Sequence, residues 1–169
     1  PKILVVGDLM IDHYLWGSCE RISPEAPVQV VNIDNESTLL GGAGNVVNNL
    51  TALGAKVDVI SVVGECQASE ELKELLIDIN VDTQYLITQK SRITSKKSRI
   101  IASQQQVIRY DRECTDEINS KSQIAIIESF KNIVNNYDVI LLSDYGKGLL
   151  TFQLTQSLIN CANKNKKKV

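Results

Sequence analysis

Apolar strand patterns alternate with helical patterns along this chain, and that alternation constrains the fold more than any other feature. Residues 2–7, 57–63 and 137–143 are runs of mostly apolar, often β-branched side chains. Such continuous runs are typical of parallel strands, which are buried on both faces. Apolar residues at helical spacing occupy about 46–53, 69–79, 120–134 and 151–164. The order predicts an α/β fold with a mostly parallel sheet flanked by helices.

Ser120 and Gln123 have the spacing of a capping box for the third helix, and Thr151 can cap the fourth. The third helix is predicted to carry an apolar stripe of Ile124, Ile127, Phe130 and Val134.

Two more polar stretches, at about 12–38 and 96–111, interrupt the alternation with strand-like patterns. Because they are more polar than the buried strands, we expect them to form a small second sheet outside the main layer. Residues 167–169 have the pattern of a further strand start. A parallel sheet that stopped there would lack a neighbouring strand on one side, so we expect the domain to continue beyond these residues.

Composition and charge exclude several classes of protein. The net charge of −2, from 18 basic and 20 acidic residues, provides no strong positive field, so no nucleic-acid partner is expected. No stretch approaches the roughly 18 apolar residues of a membrane span. The four cysteines are widely separated without a CxxC pair, which argues against disulfides or zinc and favours a reducing cytoplasm. The single histidine, His13, is better explained by a surface or hydrogen-bonded role than by catalysis.

Three aspartates follow predicted strands closely. Asp8 and Asp12 come after the first strand, and Asp144 comes directly after the strand at 137–143. In open α/β sheets, ligands bind at the carboxyl ends of the strands. A single aspartate there is better explained as a cap of a helix or turn. Three at equivalent edges favour a site that binds hydroxyl groups or a metal.

A glycine-rich segment, Gly41-Gly42-Ala43-Gly44-Asn45, precedes the first predicted helix. Glycines at a helix start let backbone N–H groups approach a polar ligand, although a tight turn required by packing is an equal alternative. The segment does not directly follow the first strand and lacks the third glycine of a dinucleotide-binding loop. It also lacks the Gly-Lys-Ser/Thr of a Walker A loop. Both nucleotide-binding hypotheses are therefore disfavoured.

Basic residues mark two further candidate positions. Arg99 falls on one predicted strand with Lys97 just before it, and Arg109 falls on the next. These cations could bind a phosphate, but without other evidence a solvated strand face balanced by Asp111 and Glu113 is the better explanation. The loop Asp144-Tyr145-Gly146-Lys147-Gly148 places an acid and a lysine between glycines at a strand end. A simple β-turn explains that loop about as well.

Taken together, these segments resemble the ribokinase-type (PfkB) sugar kinases over essentially the whole chain. Residues 5–12, Val-Val-Gly-Asp-Leu-Met-Ile-Asp, resemble the first strand and turn of that family. Gly41–Asn45 is similar to its first signature, Gly-Gly-x-x-Asn before a helix. Residues 21–28 and 143–148 resemble more narrowly the heptose-7-phosphate kinase domains that occur in bifunctional kinase/adenylyltransferases.

The resemblance implies that residues 1–169 are the N-terminal half of the kinase domain and contain the substrate-binding side of its active site. Asp12, Gly42 and Asn45 would line the sugar pocket, and the segments 12–38 and 96–111 would form a β-lid that also makes a homodimer contact. The remaining implied contacts to sugar phosphate are Asp8, Arg21, Lys97, Arg99, Arg109, Asp144 and Lys147.

The implied reaction transfers the γ-phosphoryl group of ATP, with Mg²⁺, to O1 of D-glycero-β-D-manno-heptose 7-phosphate, a step toward ADP-heptose for the lipopolysaccharide core. The family's Gly-Ala-Gly-Asp signature with the catalytic base and its Asn-x-x-Glu magnesium motif are absent from these residues. We expect the base beyond Val169 and no catalytic residue, metal ligand or bound cofactor in this chain, which would be inactive alone. A non-catalytic sugar-phosphate-binding or dimerisation module is the alternative.

Overall fold

The computed structural model describes all residues from 1 to 169. Strands and helices alternate, with two long strands inserted early and two more in the middle. The strands are β1 (Lys2–Gly7), β2 (Leu9–Ile22), β3 (Gln29–Gly42), β4 (Lys56–Val63), β5 (Leu86–Thr88), β6 (Ser95–Ala102), β7 (Gln105–Arg112) and β8 (Val139–Ser143). The α-helices are α1 (Ala43–Ala52), α2 (Gln67–Asp78), α3 (Ser120–Ile133) and α4 (Phe152–Lys164).

The main sheet is wholly parallel, in the order β5-β4-β1-β8. Successive residues of β1 serve two separate cores because side chains alternate across a strand. Leu4 and Val6 pack in one core with residues of α3 and α4, such as Phe130. Ile3 and Val5 pack in the other with residues of α1 and α2. The predicted α/β fold with a parallel sheet between helices is confirmed.

The second sheet has the order β3-β2-β6-β7 and mixes orientations. β2 pairs antiparallel with β3 and parallel with β6, and β6 forms a hairpin with β7. These strands contain the segments 12–38 and 96–111, but β2 and β3 together extend from residue 9 to residue 42. The extension is apolar and buried at Leu9, Ile11 and Leu40, which join the core of the main domain.

Two local predictions differ from the structure at α3. The sequence suggests a capping box at Ser120 and Gln123, but Asn119 is the cap, and its side chain accepts a hydrogen bond from the Ser122 N–H at 2.8 Å. Gln123 donates instead to the carbonyl of Ile118. Ile124, predicted to face the core, is 56% exposed. The buried residues of α3 are Ser122, Ile126, Phe130 and Ile133.

The cap predicted for α4 is present, since the Thr151 hydroxyl accepts a hydrogen bond from the Leu154 N–H at 3.2 Å. At the outer edge of β8, Lys168 forms a parallel bridge with Val139. All four cysteines are free thiols. None of the four α-helices combines the length and the apolar character that crossing a membrane requires.

Candidate functional site

The candidate site lies where the carboxyl ends of the main strands meet the base of the second sheet. Asp8 follows β1 there, but it is only 3% exposed. Its Oδ2 accepts the backbone N–H groups of Tyr145 and Lys147 at 3.0 and 3.1 Å, and its Oδ1 accepts that of Leu149 at 3.3 Å. Because these amides occupy the carboxylate, Asp8 holds the loop after β8. A direct contact of Asp8 with substrate stays a prediction.

Asp12 and Asn45 line one cavity of about 300 Å³, although they lie on β2 and α1. Arg99 of β6 reaches Asp12, with 2.6 Å between Nη1 and Oδ1, and lies over the ring of Tyr14 at 5.1 Å from its centroid. Burial lowers the pKa of the Arg99 guanidinium, but the hydrogen bond to Asp12 outweighs it and raises the pKa above its ordinary value. A charged pair therefore contributes one of its members, Asp12, to the lining of the cavity.

The two leading glycines of the glycine-rich segment make this arrangement possible. A side chain at Gly41 would collide with the Asp12 carboxylate. Gly42 has a φ of 56°, and a Cβ there would lie 2.6 Å from the carbonyl oxygen of Asp8. Gly42 is also the residue before α1, so its conformation sets the direction in which the helix leaves β3. Asn45, in the first turn of α1, is exposed as a result.

The predicted phosphate-binding cations are close together, and each is paired with an acid. Lys97 Nζ lies 2.9 Å from Asp111 Oδ2 and 3.2 Å from Glu113 Oε2. Lys147 Nζ lies 2.9 Å from Glu113 Oε2, and Arg109 Nε lies 3.1 Å from Asp111 Oδ1. We call these five residues the charge network. Within this network, Glu113 connects the second sheet to the loop after β8, because it pairs with both Lys97 and Lys147.

The charge network shifts the pKa of three of its members. Burial lowers the pKa of the Lys97 ammonium, but hydrogen bonds to Asp111 and Glu113 outweigh it, and the pKa is raised. The hydrogen bond from Lys97 lowers the pKa of Asp111, and that from Lys147 lowers the pKa of Glu113. All three groups are therefore charged at neutral pH. A ligand phosphate would have to compete with Asp111 and Glu113 for the cations.

Two predicted site residues lie apart from the cavity. Arg21 is exposed near the far end of β2, nine residues beyond Asp12, which corresponds to about 30 Å along a strand. Its contact with substrate stays a prediction that this copy of the chain does not support. Asp144 is exposed, and its Oδ1 accepts the Gly146 N–H at 2.8 Å, as the β-turn alternative requires. Only its position at the end of β8 connects it with the site.

Sequence patterns did not reveal Arg92, which contributes to the same region. It is 7% exposed and donates to the backbone carbonyls of Asp116 and Lys147. No motif or periodicity marks it, because it lies in an irregular segment between β5 and β6. His13 is hydrogen-bonded, with Nδ1 at 3.1 Å from Ser98 Oγ and Nε2 at 3.3 Å from Glu36 Oε2.

The fit of a magnesium ion to these residues is poor. No group of three or more His, Cys, Asp or Glu side chains in residues 1–169 is arranged to hold a metal ion. Two acids, Asp12 and Asp78, line the cavity, and Asp12 already pairs with Arg99. Asp111 and Glu113 of the charge network pair with Lys97 and Lys147. No chemical step through a metal is therefore assigned to this chain.

The fold and site define an α/β protein with a cavity lined by residues of β2, β3, α1 and α2, and with a network of paired charges on the second sheet and the loop after β8. The family model described as pfkB family carbohydrate kinase matches residues 1–169, and the chain belongs to that family. "Bifunctional protein HldE" of Aliarcobacter butzleri is 62% identical over 169 residues, which are 100% of this chain and 36% of that protein. The protein of the same name from Sulfurimonas denitrificans is 55% identical over 100% of this chain and 35% of its own length.

Solved structures show the same fold at low sequence identity. A carbohydrate kinase from Agrobacterium tumefaciens superposes with a TM-score of 0.70 at 20% identity, over 98% of this chain and 51% of that one. Ribokinase of Arabidopsis thaliana, complexed with ribose and ATP, superposes with a TM-score of 0.66 at 16% identity, over 99% and 51%. The chain thus spans about a third of the length of the curated relatives it matches and about half of the length of these solved chains.

Proposed function

We propose that the protein containing this chain is an ATP-dependent sugar kinase and that these residues supply its sugar-binding side. The observation that carries the proposal is the shared cavity of Asp12 and Asn45, with Arg99 bonded to Asp12. A carboxylate and an amide facing one cavity can accept and donate hydrogen bonds to adjacent sugar hydroxyls. Membership of the carbohydrate kinase family supports the same assignment.

The proposed substrate is D-glycero-β-D-manno-heptose 7-phosphate, phosphorylated at O1. Two features support a phosphorylated sugar: the likeness of residues 21–28 and 143–148 to heptose-7-phosphate kinase domains, and the charge network beside the cavity. Arginine forks and lysine ammonium groups bind phosphate oxygens well. The 7-phosphate would take the place of Asp111 and Glu113 on Lys97 and of Asp111 on Arg109.

In this reaction the chain's own residues bind and orient. Asp12 and Asn45 fix the sugar, so that the reacting hydroxyl is held in one direction. Lys147 brings a positive charge toward the phosphoryl group being transferred, where charge stabilisation matters most. The general base, the Mg²⁺ ligands and the ATP-binding loops are proposed to lie in other residues of the enzyme. The chain alone is then expected to show no turnover.

A steady-state assay of ADP release by the full-length protein tests this proposal, with heptose 7-phosphate as the substrate. Asp12→Asn should lower kcat/KM by roughly tenfold to hundredfold, the cost of a charged hydrogen bond. Asn49→Ala is the matched control, because Asn49 is an exposed amide of α1 outside the lining of this cavity. ADP release that does not depend on any sugar phosphate would reject the proposal.

The second candidate function is a non-catalytic module that binds sugar phosphate. The observation in its favour is that every charge of the charge network is paired within the chain. The five residues of the charge network and the Arg99–Asp12 pair bond to one another within the chain, without any charge from ATP. Calorimetric titration of the 169-residue chain with heptose 7-phosphate distinguishes the two. Binding without turnover in both chain and full-length protein supports the module, whereas turnover by the 169 residues alone excludes the sugar-side fragment as proposed.

We also propose that the second sheet is a lid and that two copies pair through it. Its outer part carries an apolar surface, which we call the lid patch, formed by Val28, Gln29, Val31, Ile33, Ile100, Val107 and Ile108. Ile108 is 53% exposed and Ile33 43%. A continuous apolar surface on a small sheet is typical of an interface, and a second copy is the proposed occupant.

The proposed location is the cytoplasm. All four cysteines are free and partly accessible, as expected of a protein kept in a reducing compartment. Fractionation of cells followed by detection of the protein tests this, and recovery in an oxidising compartment would contradict it.

A further inference from the structure

Arg92 is a buried cation without a carboxylate partner. It lies between β5 and β6 with 7% of its surface exposed, and none of the ion pairs of the chain includes it. Its guanidinium donates only to backbone carbonyls, to Asp116 at 2.9 Å from Nη1 and to Lys147 from Nη2. Removing a charge from water without a counter-ion is costly, so its position needs a compensating interaction.

Asp8 is the corresponding buried anion. It is 3% exposed and takes part in no ion pair, and its carboxylate accepts three backbone N–H groups. Those groups belong to the loop between β8 and α4, at Tyr145, Lys147 and Leu149. The two buried charges therefore hydrogen-bond to the same loop. Asp8 accepts from three of its N–H groups, and Arg92 donates to one of its carbonyls.

The two charges meet at Lys147. Its N–H donates to Asp8 Oδ2 at 3.1 Å, and its carbonyl accepts from Arg92. Peptide dipoles between an anion on the N–H side and a cation on the carbonyl side are favourably oriented, which offsets part of the cost of burying both charges.

The path of this loop is fixed on either side of Lys147. Gly146 and Gly148 have positive φ values of 67° and 80°. A side chain at Gly148 would collide with the backbone of Asp116, to which Arg92 also donates. The carbonyl of Gly148 accepts the Ile118 N–H at 3.0 Å. The backbone of Lys147 is therefore held in place while its ammonium reaches Glu113 at 2.9 Å.

We propose that Asp8 and Arg92 are positioning residues for phosphoryl transfer, which act by clamping the backbone of Lys147 from both sides. The inference rests on the proposed kinase function, in which Lys147 carries the charge that meets the phosphoryl group. Neither Asp8 nor Arg92 lines the cavity of Asp12 and Asn45, so neither needs to touch the sugar. Their effect on the reaction passes through Lys147.

A double-mutant cycle in the full-length protein tests this coupling. Arg92→Gln and Lys147→Met should each lower kcat/KM for the sugar phosphate by roughly tenfold to hundredfold, the cost of a charged hydrogen bond. The double variant should be less than about threefold worse than Lys147→Met, because Arg92 acts through Lys147. Additive losses in the double variant would overturn the proposal.

Lys90→Gln is the matched control, because Lys90 is an exposed cation two residues from Arg92 and belongs to no ion pair. It should leave kcat/KM unchanged within about twofold. Thermal unfolding of each variant shows whether it is folded. If Arg92→Gln does not fold, Arg92→Lys replaces it in the same cycle and is held to the same criterion of non-additivity.

Amide hydrogen exchange tests the clamp without any activity. In Arg92→Gln the amides of Tyr145 and Lys147 should exchange roughly tenfold faster, while that of Val5 in the central strand keeps its protection. Unchanged exchange in the loop would overturn the clamp even in an active kinase. Faster exchange in a protein that phosphorylates no sugar would retain the clamp and reject the kinase function instead.

Discussion

Gly42 joins β3 to α1 with a φ of 56°, next to the backbone of Asp8 and the side chain of Met10. A methyl group there would meet the Asp8 carbonyl oxygen at 2.6 Å and Met10 Cε at 2.7 Å. Gly54, which follows α1, has a φ of 85°, but a methyl group at that position would have no atom within 4 Å. Both glycines have a positive φ, but Gly42, with a ψ of −131°, also lies outside the left-handed helical region and has close neighbours.

Alanine should therefore cost more at Gly42, where backbone strain and a collision coincide, than at Gly54, where only the backbone is strained. We expect Gly54→Ala to lower the free energy of unfolding by about 1 kcal/mol, the cost of a left-handed conformation with a side chain. Gly42→Ala should cost about 3 kcal/mol, because the collision adds to that strain. Urea unfolding of the two variants and the parent measures both values. Equal costs would show that neither the neighbours of Gly42 nor its backbone conformation adds to the cost.

Glu113 is the residue at which acid should loosen the contact between the second sheet and the loop after β8. Lys147 and Lys97 lower its pKa in the folded state, so its contribution to stability is full above the unfolded pKa, about 4.3. That contribution is lost as the pH falls through the lowered folded pKa. Glu113→Gln should lower Tm by about 2 °C at pH 7, and the difference from the parent should shrink below about pH 4.

Thermal melts of the parent and Glu113→Gln between pH 7 and pH 3 measure this. Glu117→Gln is the control, since Glu117 is an exposed carboxylate four residues away that makes no ion pair. A constant difference between parent and Glu113→Gln over the whole range would contradict the assignment. The pH dependence would then have to come from another group.

At the scale of elements, α3 shows what helical spacing alone can and cannot determine. Its existence and extent follow from the pattern, but the choice of face depends on the sheet against which it packs. Phe130 is fully buried and Ile124 is 56% exposed, although both fit the predicted stripe. Ile126 is buried instead. A stripe of four apolar residues is compatible with several rotations of the helix about its axis. Only tertiary contacts determine which rotation the helix adopts.

Substitutions on α3 test this rotation. Phe130→Ala should lower the free energy of unfolding by about 3–5 kcal/mol, because it leaves a cavity in a fully buried site. Ile124→Ala should change it by less than about 0.5 kcal/mol. Urea unfolding of the two variants measures the contrast. Comparable losses would mean that α3 is rotated toward the face that the sequence pattern suggested.

The β6–β7 hairpin was predictable as two strands but not in its turn. Ser103 and Gln104 connect the strands, and both have positive φ, a conformation usually assigned from Asn-Gly or Asp-Gly. Neither residue carries that signal. The position of the turn is set instead by strand pairing, because β6 pairs with β2 on one side and with β7 on the other.

For the whole molecule, the sequence determines the layers well and the site only in part. Continuous apolar strands can be buried only inside a parallel sheet, so the fold class follows from local patterns. Asp12 and Asn45, 33 residues apart, line the same cavity because β2 and β3 form one long hairpin. The glycine-rich segment is the sequence feature that indicates a site near Asn45. Arg92 and the pairing of Glu113 with two lysines depend on loops without periodicity. No local pattern contains that information.

The lid patch gives the molecule a surface that a single copy leaves open to water. Its apolar side chains come from β3, β6 and β7, so they span the second sheet from one edge to the other. Stable dimers bury roughly 800 Å² on each partner, which requires a surface as broad as a small sheet. Exposed apolar residues elsewhere, such as Ile124 on α3 and Phe152 on α4, are isolated by comparison and lie on separate helices.

A charge in the lid patch should therefore separate the copies without unfolding them. We expect Ile108→Glu to convert a dimer into a monomer, because two like charges would face each other across a two-fold axis in an apolar contact. Ile124→Glu introduces the same charge at an equally exposed isoleucine, 56% against 53%, and should leave the dimer intact. Sedimentation velocity at several concentrations measures the mass of each variant. A monomeric parent, or a dimer that survives Ile108→Glu, would rule out pairing through this surface.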